Sequence, residues 1–210
     1  MTDTDNLLAI ANQYWSNKEY LKANEIYEEL IKRNNPEAFY HLGYAYYRGT
    51  GVDKNYEKAK EYLEKSLELG YNRAIVYNVL GCVYLAERQN HTKVTELFKK
   101  AYELDPNIDV FMYNLGYSYL KGLGADKDYV KAINLYAKGY NINKDNDFIR
   151  EIKSLITDEN VTKYVFGELA KVEKLEKENE MLKAEVMYQP GGEGYQQAKD
   201  EFDRLAKLKD

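Results

Sequence analysis

A short block, Leu-Gly followed three residues later by Tyr, recurs along this chain and constrains its fold more than any other feature. It occurs at Leu42-Gly43 with Tyr46, at Leu80-Gly81 with Tyr84 and at Leu115-Gly116 with Tyr119. Successive glycines are 38 and then 35 residues apart, and a weaker copy, Ile10-Ala11 with Tyr14, lies 32 residues before the first glycine. The period predicts four copies of one structural unit.

Each block predicts a first helix, and a second apolar pattern predicts a partner helix after a short break. Apolar side chains recur there at three- and four-residue spacing: Ala23 and Tyr27, Ala59 and Leu63, Val94, Phe98 and Ala101, Ala132 and Tyr136. The small residue of each block lets the two helices of a hairpin approach closely, and the tyrosine one turn later fills the space between hairpins. With only three prolines in the chain, an all-α fold is expected.

Two of the breaks share a longer sequence. The pattern G-x-G-x-D-K-x-Y-x-K-A occupies residues 49–59 and recurs 73 residues later, at 122–132. The glycines favour the positive φ angles of an inter-helix turn, and Asn55 and Asp128 stand where a side chain can cap the second helix. A phosphate-binding loop is not expected, because no strand precedes the glycines and no Gly-Lys-Ser/Thr follows them.

These units resemble tetratricopeptide repeats, and the second and fourth, which carry the Gly-x-Gly segment, are similar to Sel1-like repeats. The resemblance covers about residues 4–144. It implies an all-α, right-handed solenoid of four helical hairpins over residues 1–145, followed by capping helices over 146–165. It also implies a protein-interaction adaptor or scaffold in place of an enzyme.

Proteins with such repeats bind a peptide or a partner helix along the concave face formed by their first helices. Carried over position by position, the resemblance places ten residues on that face: Asn12, Tyr40, Tyr44, Tyr47, Arg48, Asn78, Tyr113, Asn114, Tyr117 and Lys121. Tyrosines offer rigid contact area, and asparagine amides can bridge the backbone of a peptide. Several of the tyrosines could instead pack between repeats.

Charge and hydropathy exclude several classes of partner. The net charge is −5 and both signs are interspersed, so no basic field attracts nucleic acid or an anionic membrane. No apolar run approaches the roughly 20 residues that span a bilayer, and Asp3 and Asp5 stand where a secretory signal would be basic. We expect a cytoplasmic protein that binds neither nucleic acid nor membrane.

Catalytic and metal-binding groups do not cluster in the sequence. His41 and His91 are 50 residues apart, with no cysteine or carboxylate at metal-ligand spacing, so both are expected to be packing or surface residues. Cys82 follows Gly81 in a predicted first helix and is explained by its small size. We expect no catalytic residue, no metal and no cofactor.

The pattern changes at about residue 166 to a charged helix with a heptad repeat, which predicts a short coiled coil over 166–188. The core positions alternate between a and d in the manner of a parallel dimer: Val172, Leu175, Asn179, Leu182 and Val186. A Pro-Gly turn and an amphipathic helix are expected over 189–210. The prediction is a homodimer, with two alternatives: a long helix packed on its own solenoid, or an architectural protein whose groove holds its own or a neighbour's C-terminal helix.

Overall fold

Four consecutive helical hairpins make up the described part of the chain. A computed structural model describes residues 3–88, 90–124 and 126–143, and the regular structure in these ranges is entirely α-helical. The eight helices of these residues are α1 Asp3–Ser16, α2 Tyr20–Lys32, α3 Pro36–Arg48, α4 Tyr56–Glu68, α5 Ala74–Ala86, α6 His91–Leu104, α7 Asp109–Lys121 and α8 Tyr129–Asn143. Each helix packs on its neighbours in the sequence, so the predicted all-α solenoid of hairpins is confirmed.

Within each hairpin a small residue of the first helix faces a large side chain of the second. A Cβ atom added to Gly43 would lie 2.7 Å from Leu63 Cγ, and one added to Gly81 would lie 2.6 Å from Phe98 Cε1. The same addition at Gly116 would reach 2.7 Å from Tyr136 Cε1. The predicted close approach of the paired helices is therefore confirmed, and the glycines are what permits it.

Side chains from successive hairpins form the core at each junction. One cluster, around Ala11, Tyr27 and Leu42, joins the first hairpin to the second. Tyr84 packs on the cluster around Leu80 and on the next one along the chain, as predicted for a tyrosine that fills the space between hairpins.

The Gly-x-Gly segments form long turns that dock on the preceding hairpin. Gly49 and Gly51 have φ angles of 70° and 72°, and Gly122 and Gly124 have 66° and 73°, as the sequence predicts. The Asn24 side chain donates from Nδ2 to the carbonyl of Thr50 at 2.9 Å, and the equivalent loop carbonyl of Leu123 accepts from Thr95 Oγ1 at 2.6 Å. The two long turns thus tie hairpin two to hairpin one and hairpin four to hairpin three.

Polar side chains begin the second helices where the sequence predicts caps. Asn55 Oδ1 accepts from the backbone N–H of Lys58 at 2.9 Å, and Asp128 Oδ1 accepts from that of Lys131 at the same distance. In the third hairpin Asn90 has the same role, in a shorter connection that lacks the Gly-x-Gly. Side-chain caps thus fix the first residue of α4, α6 and α8, whereas Glu19 before α2 makes no such bond.

Replacing Gly81 by leucine should destabilise the protein by about 2 to 3 kcal/mol, since the new side chain would overlap the Phe98 ring and force α5 and α6 apart. Thermal or urea unfolding followed by circular dichroism measures the change. Ala86→Leu, at an exposed position of the same helix, is the matched control and should change stability little. If both variants unfold at the same temperature or urea concentration as the parent chain, Gly81 does not lie at the interface between α5 and α6.

Candidate protein-interaction surface

The first helices α1, α3, α5 and α7 line one side of the solenoid, called here the first-helix face. Its most extensive feature is a row of rings on α3. The centroids of Tyr40 and Tyr44 are 6.4 Å apart, and those of Tyr44 and Tyr47 are also 6.4 Å apart. All three rings are half-buried, so each keeps an edge at the surface while its body packs on the hairpins below.

Trp15 extends this aromatic row onto α1, although sequence reasoning did not select it. Its ring centroid lies 5.9 Å from that of Tyr44 and 5.0 Å from that of Tyr20. Trp15 follows Ala11 by four residues, as Tyr47 follows Gly43, so the register of the repeat was the signal that could have identified it. The face therefore carries a continuous aromatic surface across the first two hairpins.

Beneath these rings, a polar network connects α1, α2 and α3. The Tyr27 hydroxyl donates to Asn12 Oδ1 at 2.7 Å, and Asn12 Nδ2 donates to Glu37 Oε1 at 3.3 Å. His41 stacks on Tyr27 with centroids 4.6 Å apart, and its Nε2 lies 3.6 Å from Glu37 Oε1. The contact with His41 lowers the pKa of Glu37, against the opposing effect of burial. Both the oxygen and the nitrogen of the Asn12 amide are therefore used in internal hydrogen bonds. His41 is a packing residue.

A second polar group lies on α5 and α7 of the same face. Asn114 Nδ2 donates to Asn78 Oδ1 at 2.8 Å and approaches Cys82 Sγ at 3.7 Å. Asn78 is only 5 % exposed, so it supports Asn114 from below. The half-buried Asn114 is the member of the pair that a ligand can reach.

Cys82 completes this group and contacts the aromatic row. The Tyr47 hydroxyl forms a hydrogen bond with its thiol. Burial raises the pKa of the Cys82 thiol to about 11, against the opposing effects of the Tyr47 hydrogen bond and the charge of Arg48. The thiol is therefore neutral and unreactive at physiological pH.

Two exposed cations stand at equivalent places, one at the end of α3 and one at the end of α7. Arg48 and Lys121 are each the last residue of their helix, where a positive charge interacts favourably with the helix dipole. Lys121 Nζ lies 5.6 Å from the centroid of the Tyr117 ring. These residues place positive charge beside the aromatic surface.

Tyr113 differs from the other tyrosines assigned to this face. Its centroid lies 5.6 Å from that of Tyr136, so the ring packs on the second helix of its own hairpin. The assigned residues thus comprise an accessible set on α3 and α7, with Asn12, Asn78 and Tyr113 directed largely into internal contacts. The residues assigned to dimerisation, 172–186, lie outside the described residues.

Two further observations bear on the class of site. Within residues 3–88, 90–124 and 126–143, no three His, Cys, Asp or Glu side chains come together in a way that could hold a metal ion. Over the same ranges, none of the helices combines the length and the apolar character needed to cross a bilayer.

Comparison with known proteins shows what two of the hairpins are similar to. The Sel1 repeat model matches residues 36–71 and 110–143, which are hairpins two and four with their Gly-x-Gly turns. A Sel1 repeat protein from Oxalobacter formigenes is similar in structure, with a TM-score of 0.57 and 26 % identity over 73 % of this chain and 62 % of that one.

Two curated relatives match shorter parts of the chain. The ERAD-associated E3 ubiquitin-protein ligase component HRD3 of Candida glabrata is 28 % identical over 81 residues, which are 39 % of this chain and 10 % of that protein. The BBSome complex member BBS4 of Mus musculus is 29 % identical over 119 residues, 56 % of this chain and 22 % of that protein. The chain therefore spans about a tenth and about a fifth of these relatives.

Alkylation of Cys82 by iodoacetamide should be slow at pH 8 and should accelerate about tenfold per pH unit up to at least pH 9.5, because only the thiolate reacts and the raised pKa keeps the thiol protonated. Mass spectrometry measures the rate without ambiguity, since Cys82 is the one cysteine of the chain. Tyr47→Phe removes a hydrogen bond that stabilises the thiolate and should slow the reaction further. Alkylation as fast as that of free cysteine at pH 8 would contradict the buried position.

Proposed function

We propose that this chain, in which residues 36–71 and 110–143 are Sel1 repeats, is a protein-interaction adaptor that holds a peptide or partner protein on its first-helix face. The observation that carries the proposal is the continuous row formed by Trp15, Tyr44 and Tyr47, whose rings are fixed by packing and remain partly exposed. Rigid aromatic side chains give large contact area at low entropic cost.

The chemistry of the remaining accessible residues supports the same function. Asn114 is anchored through its Nδ2, which leaves its carbonyl oxygen directed away from Asn78 as an acceptor for a ligand. Arg48 and Lys121 supply charge at one border of the surface. Together they offer apolar area, a hydrogen-bond acceptor and two cations, which is the composition of a peptide-binding surface and not that of a catalytic centre.

The family and the relatives support this function at a coarser level. Proteins built from Sel1 repeats generally mediate interactions between proteins. The names of the two curated relatives describe a ligase component and a member of a complex.

Tyr44→Ala combined with Tyr117→Ala should abolish or strongly reduce client recovery in a pull-down followed by mass spectrometry, because both substitutions remove rings from the first-helix face. The matched control is Tyr46→Ala with Tyr119→Ala, two residues further along the same helices. These control rings are half-buried too, but they lie against lysines of the second helices, Lys58 at 5.0 Å and Lys131 at 5.2 Å. Equal recovery with the first variant and the parent chain would move binding off this face.

An architectural role is the second candidate, in which the C-terminal helix of the same or a neighbouring chain occupies the first-helix face. The exposed aromatic row favours it as much as it favours a foreign client. One measurement distinguishes the two functions. A chain that lacks residues 166–210 should capture new partners if the face is normally filled, and should keep the same partners if it is free.

Pairing of two copies through the C-terminal helix is a further part of the proposal. With Val172 at heptad position a, Lys171 at g faces Glu176 at e of the other chain, and Glu178 at g faces Lys183 at e. Both pairs are attractive in a parallel dimer and are lost in an antiparallel one. Such surface pairs contribute about 0.2 to 1 kcal/mol each, so they select orientation while the apolar core positions supply affinity.

Light scattering should give the mass of a dimer for the full chain at tens of micromolar and that of a monomer for a chain ending at residue 165. Asn179→Val should relax the oligomeric state, because a buried asparagine at position a restricts the number of strands. A dimer that persists after the truncation, or a monomeric full chain, would refute this pairing.

A further inference from the structure

Each junction between successive hairpins has a groove on the side opposite the first-helix face, bounded by two second helices and the first helix between them. At the first junction, a ring of α4 occupies this groove. The Tyr62 centroid lies 5.9 Å from that of Phe39 and 5.7 Å from that of Tyr46. The aromatic side chain therefore fills the space between α2, α3 and α4.

A polar bridge spans the middle junction. The Tyr84 hydroxyl on α5 donates to Glu64 Oε1 on α4 at 2.8 Å. Lys60 Nζ lies 5.8 Å from the Tyr84 ring centroid and 3.5 Å from Glu87 Oε2, so it joins the same contact. A tyrosine of the first helix is thus joined to a carboxylate on one wall of the groove.

The third junction has neither a ring at the position of Tyr62 nor a hydrogen bond like that between Tyr84 and Glu64. The register of the repeat puts Leu135 at the position of Tyr62, which removes the ring. It also puts Lys99 at the position of Glu64, and an ammonium group cannot accept a hydrogen bond from Tyr119. The result is a groove of about 290 Å³ between α6, α7 and α8. Its apolar floor includes Leu115, Tyr119 and Leu135, and its border carries three cations, Lys99, Lys131 and Lys138, and one carboxylate, Glu103.

The charge of the groove also differs from that of the first junction. Lys99 stands where the first junction has Glu28, and Asn134 stands where it has Glu61. At these two positions two carboxylates are absent and one cation is added, whereas Glu103 adds a carboxylate where the first junction has Lys32. Lys99 Nζ lies 3.8 Å from Glu103 Oε1, and Lys131 Nζ lies 2.9 Å from Asp128 Oδ2. Lys138 forms no ion pair among the described residues. Three cations against one lining carboxylate leave a net positive charge at the groove, and Lys138 is the cation that can meet an anion without displacing a described carboxylate.

We propose that this groove is a binding site for a small aromatic carboxylate. Its volume, at the lower end of the range for small-molecule sites, suits a ligand of one or two rings. The ring would take the space that Tyr62 fills at the first junction, over Leu115 and Leu135, and the carboxylate would meet Lys138. The site is separate from the first-helix face and does not depend on the function proposed for it.

The test uses the full chain and two isosteric probes, 2-naphthoate and its neutral amide, in saturation-transfer NMR and calorimetric titrations. We expect saturable binding of 2-naphthoate at about 0.1 to 1 mM, the affinity of a small ligand with few atoms. The amide should bind about three- to fivefold more weakly, because it lacks the charge that meets Lys138. Equal affinity for the two probes, or no saturable binding of 2-naphthoate, would overturn the proposal.

Two variants locate the site. Leu135→Tyr restores the ring of the first junction, so it should abolish binding while leaving the melting temperature unchanged or higher. Lys138→Gln, an exposed change that leaves the fold intact, should weaken the binding of 2-naphthoate and leave the binding of the amide unchanged. Its matched control is Lys65→Gln at the equivalent position of the second hairpin. Unchanged binding by Lys138→Gln, or an equal effect of the control, would overturn the proposal even if Leu135→Tyr fails to fold. Binding of an acetylated Asp-Phe-Asp peptide without binding of 2-naphthoate would assign the groove to a protein partner and would also overturn it.

Discussion

The contact between a small residue of each first helix and a large side chain of its partner determines the geometry on which the other features depend. At Gly43, Gly81 and Gly116 the partner side chain occupies the space of a Cβ atom. The two helices therefore pack closely and in one register. Because the same contact recurs in successive hairpins, residues at equivalent positions of the sequence come to equivalent places along the solenoid.

This regularity separates two surfaces that differ in chemistry. On the first-helix face, aromatic rings such as Trp15 and Tyr44 lie over a network of hydrogen bonds among α1, α2 and α3. On the opposite side, the same backbone forms one groove per junction, and single residues determine whether that groove is filled or open. Tyr62 fills the first groove, Tyr84 bridges the second, and Leu135 leaves the third open.

The sequence predicts which helical positions lie on the first-helix face, but it does not predict how far each side chain is buried there. Tyr44 and Tyr47 lie half-exposed on it, whereas Asn78 is buried beneath Asn114 and Tyr113 packs on Tyr136. A helical period gives the direction of a side chain, while its exposure depends on the size of residues on neighbouring helices. His41 was expected to be a packing or surface residue, and its stacking on Tyr27 became visible only when α2 and α3 were placed side by side.

By itself, the sequence determined the features that depend on local backbone chemistry and on the repeat period. These are the hairpins, the caps at Asn55 and Asp128, the positive φ angles of the Gly-x-Gly turns and the close approach at the small residues. The tertiary structure decided what depends on neighbours distant in the chain. The Asn114–Asn78 pair requires two helices of different hairpins to be placed together, and the groove at Leu135 requires three, because a contact or a void is a property of all the side chains that surround it.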